Sequence, residues 1–150
     1  MDIQPRKLEL AKSLGATPIN AQLTDAVENI REQTHGRGVD VALELIGLPL
    51  TMQQAVRSLA IKGRAALAGI TGKSFDVSPY HELINREAEI IGVSDHLASE
   101  IPLLLEFART GRLNFTGVIT RTVPLEAAAI NSTLDRLEHF SEDVRVVINP

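Results

Sequence analysis

The sequence predicts an α/β protein with a doubly wound, mainly parallel sheet, and three observations support this fold class. Helix-like and strand-like patterns alternate along all 150 residues. The strand candidates VDVALEL (39–45), RAALAGI (64–70) and AEIIGVS (88–94) are almost continuously apolar, as expected for strands buried on both faces of a sheet. Helices separate them, and strand–helix–strand units with right-handed crossovers build a parallel sheet. No linker or repeat interrupts the pattern, so one domain over 1–150 is predicted.

The helices are predicted from their caps and apolar spacing. The first covers 5–14, because Pro5 suits a first turn and Gly15 suits a helix end. The later helices are predicted to begin at residues whose hydroxyls can cap a first turn. These residues are Thr24, Thr51, Ser78 and Ser99, and a last helix is predicted over 124–138. Further strands are predicted over 18–21, 118–123 and 144–148.

The composition excludes several classes of function. The net charge is −4 without a Lys/Arg stripe, which argues against nucleic acid and anionic membranes as partners. The apolar runs are shorter than the about 18 residues of a membrane helix, and no secretory signal is visible, so a cytoplasmic location is expected. The chain has no cysteine, which excludes disulfides, thiolate catalysis and cysteine-bound zinc.

Five stretches together carry a resemblance to a known family. They are DIQPRKLELAKSLGAT (2–17), GRGVDVALELIG (36–47), KGRAALAGI (62–70), EIIGVSD (89–95) and TRTVPLEAAAINSTLDRL (120–137) with the VRVVINP that closes the chain. In this order the chain resembles the C-terminal part of the NAD-binding (Rossmann) domain of zinc-type medium-chain alcohol dehydrogenases. The resemblance implies a partial Rossmann-like sheet that lacks the first strand, the first helix and most of the second strand. It also implies NAD as cofactor and the oxidation of an alcohol to a carbonyl compound.

The same resemblance implies cofactor contacts. Asp2 would accept hydrogen bonds from the adenosine ribose and repel a 2′-phosphate, which favours NAD over NADP. Lys7 would flank that ribose, and Arg145 would reach the pyrophosphate. Three strand ends would contact other parts of the cofactor. The adenine and ribose would meet Leu45, Ile46 and Gly47. The nicotinamide side would meet Ala68, Gly69 and Ile70, and the carboxamide would meet Val93, Ser94 and Asp95.

Two parts of the family pattern are missing from the sequence. There is no G-x-G-x-x-G loop, because Gly36-Arg37-Gly38 precedes a strand instead of joining a strand to a helix. The zinc-binding catalytic domain also has no counterpart. No catalytic residue and no zinc are therefore expected on this chain, and NAD binding is expected to be weak or lost. We expect a fragment of a longer enzyme, a product completed by a partner chain, or a homo-oligomer, since strand 39–45 would otherwise be an exposed apolar edge.

The candidate polar residues also have simpler interpretations. Asp2 could be a solvated acid that interacts favourably with a helix dipole, and Lys7 and Arg145 could be surface residues. His35, His81, His96 and His139 lack the spacing of paired helical metal ligands. Asp95-His96 near Glu89 suggests either a metal or catalytic pair or an ordinary strand-end loop. Ser94-Asp95 has no G-x-S-x-G elbow around it, which argues against a catalytic triad.

The segment KSFDVSPY (73–80) predicts a partner. Its alternation around Phe75 and Val77 indicates a short strand, and in the resembled family a segment here pairs antiparallel across a two-fold axis. A homodimer is therefore expected, with a surface loop as the alternative. Two other functions stay open for the chain: a non-catalytic remnant domain that acts as a dimerisation or interaction module, and a zinc-free relative of the quinone reductases.

Overall fold

The computed structural model describes residues 1–94, 97–115, 117–139 and 141–150. It divides into two compact units: a first unit of residue 1 with residues 19–95, and a second unit of residues 2–18 with 96–150. Both units contain parallel strands joined through helices, which confirms the predicted α/β class. A single truncated domain over 1–150 stays a prediction.

The first unit is built on a three-stranded parallel sheet. Its strands are β1 (Val39–Glu44), β2 (Leu59–Leu67) and β3 (Glu89–Gly92), in the spatial order β1-β2-β3. The register places Glu44, Leu67 and Gly92 side by side, so the carboxyl ends of all three strands form one edge. The other elements of this unit are α2 (Ala26–Gln33), α3 (Pro49–Arg57), a π-helical turn (Pro79–Leu83) and a 3-10 turn (Ile84–Arg86), with α1 (Pro5–Ser13) belonging to the second unit.

The core of the first unit lies where α3 packs on the sheet. Val56, Leu59 and Ala65 are almost fully buried there. Phe75 and Val77 pack against this cluster, while the alternating residues Ser74 and Asp76 are exposed. The predicted alternation of packed and exposed side chains is present, but the structure has no strand over 73–78 and has a π-helical turn from Pro79, because the segment has no strand to pair with among the described residues. In the described part of the chain this segment pairs with no other strand.

The second unit contains α1 and a two-stranded parallel sheet. This sheet consists of β4 (Ile119–Pro124) and β5 (Arg145–Asn149), which α5 (Ala127–Glu138) connects, and α4 (Ile101–Arg109) follows a 3-10 turn (Ala98–Glu100). Asp143 is buried and lies 3.3 Å from both Arg121 and Arg136. This carboxylate ties β4 and α5 to the loop before β5, since its two cationic partners come from those two elements.

Three predicted helix starts are wrong, one because a neighbouring side chain caps the helix and two because the helix begins at another residue. Asp25, not Thr24, caps α2, and its carboxylate accepts from the Val27 and Glu28 amides at 2.9 Å. The helix α3 begins at Pro49, before Thr51. The last helix begins at Ala127, because Pro124 ends β4 instead of starting a helix.

Two other boundaries are corrected. Ser78 does precede a turn with Pro79 first, but the Ser78 side chain makes no capping bond, and its amide donates to Glu82 instead. The helix near Ser99 is a 3-10 turn that leads into α4 at Ile101.

The predicted strand 18–21 is also wrong. Among these residues only Asn20 makes a β-bridge, because the segment is too short to form a ladder of its own. The strand predicted at 64–70 begins earlier, at Leu59, and ends at Leu67. Lys62 takes a positive φ of 62° inside it, and this irregularity shifts the register between β1 and β2.

The strand β1 lies at an edge of the three-stranded sheet, as predicted, but it is not buried on both faces. Val41 is 56% and Leu43 is 69% exposed, so one face of the strand presents aliphatic side chains to solvent. An exposed apolar edge strand is a surface on which chains associate.

Replacing Leu43 with Lys should reduce self-association of the chain. A charge in the middle of an edge strand opposes pairing with another strand, and an exposed site changes the free energy of unfolding by only about 0.5 kcal/mol. Size-exclusion chromatography with light scattering measures the associated fraction. Leu105, which is 65% exposed on α4, provides the control variant Leu105→Lys. Equal association of Leu43→Lys and wild type would show that β1 is not the associating surface.

Candidate functional site

The carboxyl edge of the first unit brings together three of the predicted contact segments. Residues 45–47, 68–70 and 93–94 directly follow β1, β2 and β3, which end in register. The predicted residues Leu45, Ile46, Gly47, Ala68, Gly69, Ile70, Val93 and Ser94 therefore lie along one edge, and Asp95 lies outside the described residues. In open parallel sheets, ligands bind outside this edge.

A buried carboxylate organises the edge. Glu44 is the last residue of β1 and only 3% exposed. Its Oε1 accepts hydrogen bonds from the Ile46 amide at 3.0 Å, the Gly47 amide at 2.9 Å and the Thr51 hydroxyl at 2.6 Å. A buried charge is costly unless donors surround it, and hydrogen bonds to an ionised acceptor are among the strong ones. The side chain of Glu44 therefore fixes the turn between β1 and α3.

Backbone contacts join this turn to the end of β2. The Glu44 carbonyl accepts from the Ala68 amide at 2.8 Å and the Gly69 amide at 3.1 Å. A Cβ atom at Gly69 would lie 2.1 Å from the Gly47 nitrogen and 2.6 Å from Oε2 of Glu44. Gly47 has a φ of +87°, and a Cβ there would lie 2.4 Å from the Ile70 carbonyl oxygen. The two segments can pack this closely only because both positions are glycine.

The other carboxylate oxygen of Glu44, Oε2, makes none of these hydrogen bonds. Oε2 is buried and has no hydrogen-bond partner among the described residues. It faces the space that a Cβ at Gly69 would occupy. A buried acceptor of this kind is one that an enclosed water could satisfy.

The outer surface of the edge is apolar. Leu45, Ile46, Ile70 and Val93 are all exposed, and Ile70 is 97% exposed. These four side chains come from the three adjacent strand ends. A patch of apolar side chains above converging backbone groups is suited to the flat face of an aromatic ring system.

The three remaining predicted residues belong to the second unit. Oδ1 of Asp2 accepts from the Ile3 amide at 2.7 Å and the Gln4 amide at 2.9 Å, directly before α1. Lys7 is half-buried in α1, and Arg145 is exposed at the start of β5. Part of the Asp2 carboxylate therefore already binds backbone, which fits its interpretation as an acid at a helix start.

Metal-binding and triad interpretations gain no support from the described side chains. No group of three or more His, Cys, Asp or Glu residues in the described ranges could hold a metal ion. Glu89 begins β3 and pairs with Arg64 at 2.8 Å, which places it at the other end of the strand from Ser94. His96 lies outside the described residues. Over those residues, no helix is long and apolar enough to cross a membrane.

Sequence reasoning missed Glu44 and Thr51 as parts of this edge. Thr51 was expected to cap a helix, but its hydroxyl lies 2.6 Å from Oε1 of Glu44, to which it donates, and 2.9 Å from the Leu48 carbonyl oxygen. The signal is present in VDVALELIG, where the second of two acids, Glu44, lies within the apolar stretch three residues before a glycine. A charge inside a buried strand is rare unless it is paired, so this pattern indicates a carboxylate with hydrogen-bond partners.

The substitution Gly69→Ala should destabilise the first unit. The added Cβ would meet backbone at 2.1 Å, and such overpacking costs about 1–3 kcal/mol or more because the atoms cannot move aside easily. Gly72 is the matched control, since a Cβ there meets nothing within 4 Å. Urea unfolding should show a lower midpoint for Gly69→Ala and little change for Gly72→Ala. Equal midpoints would mean that the two strand ends do not pack this closely.

Comparison with known proteins gives a consistent result. Residues 1–110 match the family model described as zinc-binding dehydrogenase. Sorbitol dehydrogenase of Bacillus subtilis is 31% identical over 99% of the chain, and an NAD-dependent alcohol dehydrogenase of Saccharolobus solfataricus is 29% identical over 100% of it. The crystal structure of 2R,3R-butanediol dehydrogenase from Bacillus subtilis superposes with a TM-score of 0.84 at 26% identity, covering 99% of the chain and 42% of that protein.

The match covers nearly the whole chain but less than half of each relative. The chain spans 42% of the length of both curated relatives named above. The order of the matching strands and helices confirms the partial Rossmann-like fold that the sequence predicted. The chain belongs to the zinc-binding dehydrogenase family and corresponds to part of an alcohol dehydrogenase-like oxidoreductase.

Proposed function

We propose that this chain is the C-terminal part of the NAD-binding domain of an NAD-dependent alcohol dehydrogenase-like enzyme. The observation that carries the proposal is the carboxyl edge of the first unit, where three strand ends meet in register around Glu44. Ligand binding at such an edge is the general behaviour of open parallel sheets. A relative with 29% identity is named an NAD-dependent alcohol dehydrogenase, which supports NAD as the cofactor.

The residues of the edge suit one half of such a cofactor. The exposed side chains of Leu45, Ile46, Ile70 and Val93 would contact ring faces, and the backbone of 68–70 and 93–94 would orient the polar groups. Gly47 and Gly69 let the turn after β1 and the end of β2 pack closely, which holds the two segments next to each other. When bound, NAD would supply the chemistry by accepting a hydride from an alcohol carbon. The role that we propose for the residues of this chain is to hold and orient the cofactor.

For the second unit we propose the roles that the family resemblance implies. Asp2 would bind ribose hydroxyls and disfavour a 2′-phosphate, Lys7 would flank the ribose, and Arg145 would meet the pyrophosphate. The half-buried Asp2 carboxylate, held by two backbone amides, supports a fixed orientation for this acid.

We do not propose catalysis by this chain on its own. The described residues contain no donor cluster that fits zinc, and the chain spans 42% of its relatives, so the zinc chemistry and the alcohol-binding residues would have to come from other parts of an enzyme. The substrate therefore stays undefined. NAD affinity is expected to be weak, because no G-x-G-x-x-G loop is present in the sequence.

We further propose a homodimer through the segment 73–77. Phe75 and Val77 anchor this segment on the core of the first unit, while Ser74 and Asp76 face solvent. An anchored, unpaired extended segment can add to the same segment of a second copy, and a two-fold axis makes that contact self-complementary. This interface also supports the second candidate function, a module for dimerisation. The cytoplasmic location stays a prediction.

Binding of NADH tests the function directly. NADH should raise the melting temperature saturably, because a ligand at ten times its Kd stabilises the folded state by about 1.4 kcal/mol. NADPH should bind less tightly. Replacing Ile70, whose side chain is 97% exposed, with Asp should weaken NADH binding about tenfold without unfolding the chain. The melting temperature and NADH fluorescence together measure both effects.

The matched control lies at the opposite end of the same sheet. Ile61 is 70% exposed near the start of β2, so Ile61→Asp introduces the same charge away from the proposed edge. NADH affinity should be unchanged in this variant. No saturable response to millimolar NADH in the wild type would contradict the proposed function, and so would equal loss of affinity in both variants.

A further inference from the structure

A groove of about 440 Å³ opens at the amino edge of the sheet in the first unit. Its lining includes Arg31, Arg37, Ile61, Asn85 and Arg86. Arg37 precedes β1, Ile61 lies near the start of β2, and the last two residues precede β3. The six residues of β1 extend about 20 Å, so this groove is separate from the carboxyl edge.

Two guanidinium groups meet on the wall of this groove. Nη2 of Arg31 donates to the Arg57 carbonyl at 2.8 Å and to the Leu59 carbonyl at 3.0 Å. Nη1 of Arg86 donates to the same two oxygens, at 3.1 Å each. Sharing these acceptors brings the two nitrogens within twice a hydrogen-bond length of each other. The arrangement holds two full positive charges close together.

Unlike the neighbouring Arg57 and Arg37, these two arginines form no direct ion pair among the described residues. Arg57 pairs with Glu82 at 2.8 Å and Arg37 pairs with Asp40, whereas neither Arg31 nor Arg86 forms a salt bridge within the described ranges. Burial and then the charge of Arg86 lower the pKa of Arg31, and the charge of Glu28 opposes this only in part. The backbone carbonyls that accept from the pair carry no full charge, and Glu82, which pairs with Arg57, also interacts electrostatically with Arg86.

We propose that this groove binds a phosphate group at the guanidinium group of Arg86, beside the positive charge of Arg31. All four Nη hydrogens of Arg31 already donate to backbone carbonyls, those of residues 36 and 37 through Nη1 and those of residues 57 and 59 through Nη2. Arg86 would therefore supply the direct hydrogen bonds to the phosphate, and the dianion would offset the repulsion between the two cations. The groove is larger than a phosphate ion needs, and Ile61 contributes an exposed apolar side chain beside the cations. The space therefore suits the organic part of a phosphate monoester as well as free phosphate.

The probes are inorganic phosphate and phenyl phosphate, titrated into the full chain by calorimetry at constant ionic strength with chloride as the reference anion. Both phosphates should bind saturably, and chloride should not. Tighter binding of phenyl phosphate would identify a monoester as the preferred ligand, and equal affinity would identify the phosphate group alone. Both results support the site.

Three substitutions test whether phosphate binds in this groove. Arg86→Met should weaken phosphate binding about tenfold or more, the effect expected for a hydrogen-bonded charge. Arg64→Met removes the same charge from β2 outside the groove lining, and it should bind phosphate like the wild type. Ile61→Asp leaves both arginines in place but adds a negative charge to the groove, so it should weaken binding even if Arg86→Met folds poorly.

The site would be overturned by an absence of saturable phosphate binding, by an equal response to chloride, or by wild-type affinity in Ile61→Asp. This outcome is independent of the proposed cofactor edge. Ile70→Asp should weaken NADH binding and leave phosphate binding intact, whereas Ile61→Asp should do the reverse.

Discussion

The buried carboxylate of Glu44 is the interaction on which the carboxyl edge of the first unit depends. Transferring an ionised carboxylate into a site that is 3% exposed costs several kcal/mol unless donors replace the lost water. Two backbone amides and the Thr51 hydroxyl supply those donors to Oε1. These bonds favour the observed path of the turn after β1, in which Gly47 packs closely on residues 69–70.

Side chains of opposite charge bind backbone groups at the two ends of this sheet. At the carboxyl edge an acid accepts from amides, and at the amino edge Arg31 and Arg86 donate to the carbonyls of residues 57 and 59. Both devices satisfy backbone groups that the strands leave unpaired at their ends. They differ in what remains: a buried carboxylate oxygen with no hydrogen-bond partner among the described residues at the first edge, and two adjacent arginine charges at the second. The two edges therefore differ in charge.

The sequence predicted the order of elements well, because caps and apolar runs act locally. The strands β1, β3 and β5 appear where their apolar residues indicate, and Gly15 follows α1 with a φ of +91°. Errors arose where a distant partner competes with a local preference. Thr51 looks like a cap in isolation, but a carboxylate seven residues earlier binds its hydroxyl. The start of β2 could not be predicted either, since Leu59 becomes a strand residue by pairing with Val39.

The position of the candidate site could be predicted from the sequence, but the interactions that form it could not. The three strand ends were identified through family resemblance, and their meeting along one edge follows from the parallel register. Glu44 was not identified, because its role depends on donors that only the folded turn brings to it. The same is true of Arg31 and Arg86, which are 55 positions apart in sequence and meet only through shared carbonyl acceptors.

Amide hydrogen exchange at Ile46 and Gly47 is the most direct test of the role of Glu44. In the wild type both amides should be protected, because a buried carboxylate oxygen accepts them at 3.0 and 2.9 Å. In Glu44→Gln the protection of both should fall, while Glu89→Gln, at an exposed acid on β3, should leave it unchanged. Equal protection in wild type and Glu44→Gln would contradict the conclusion that this carboxylate holds the edge together.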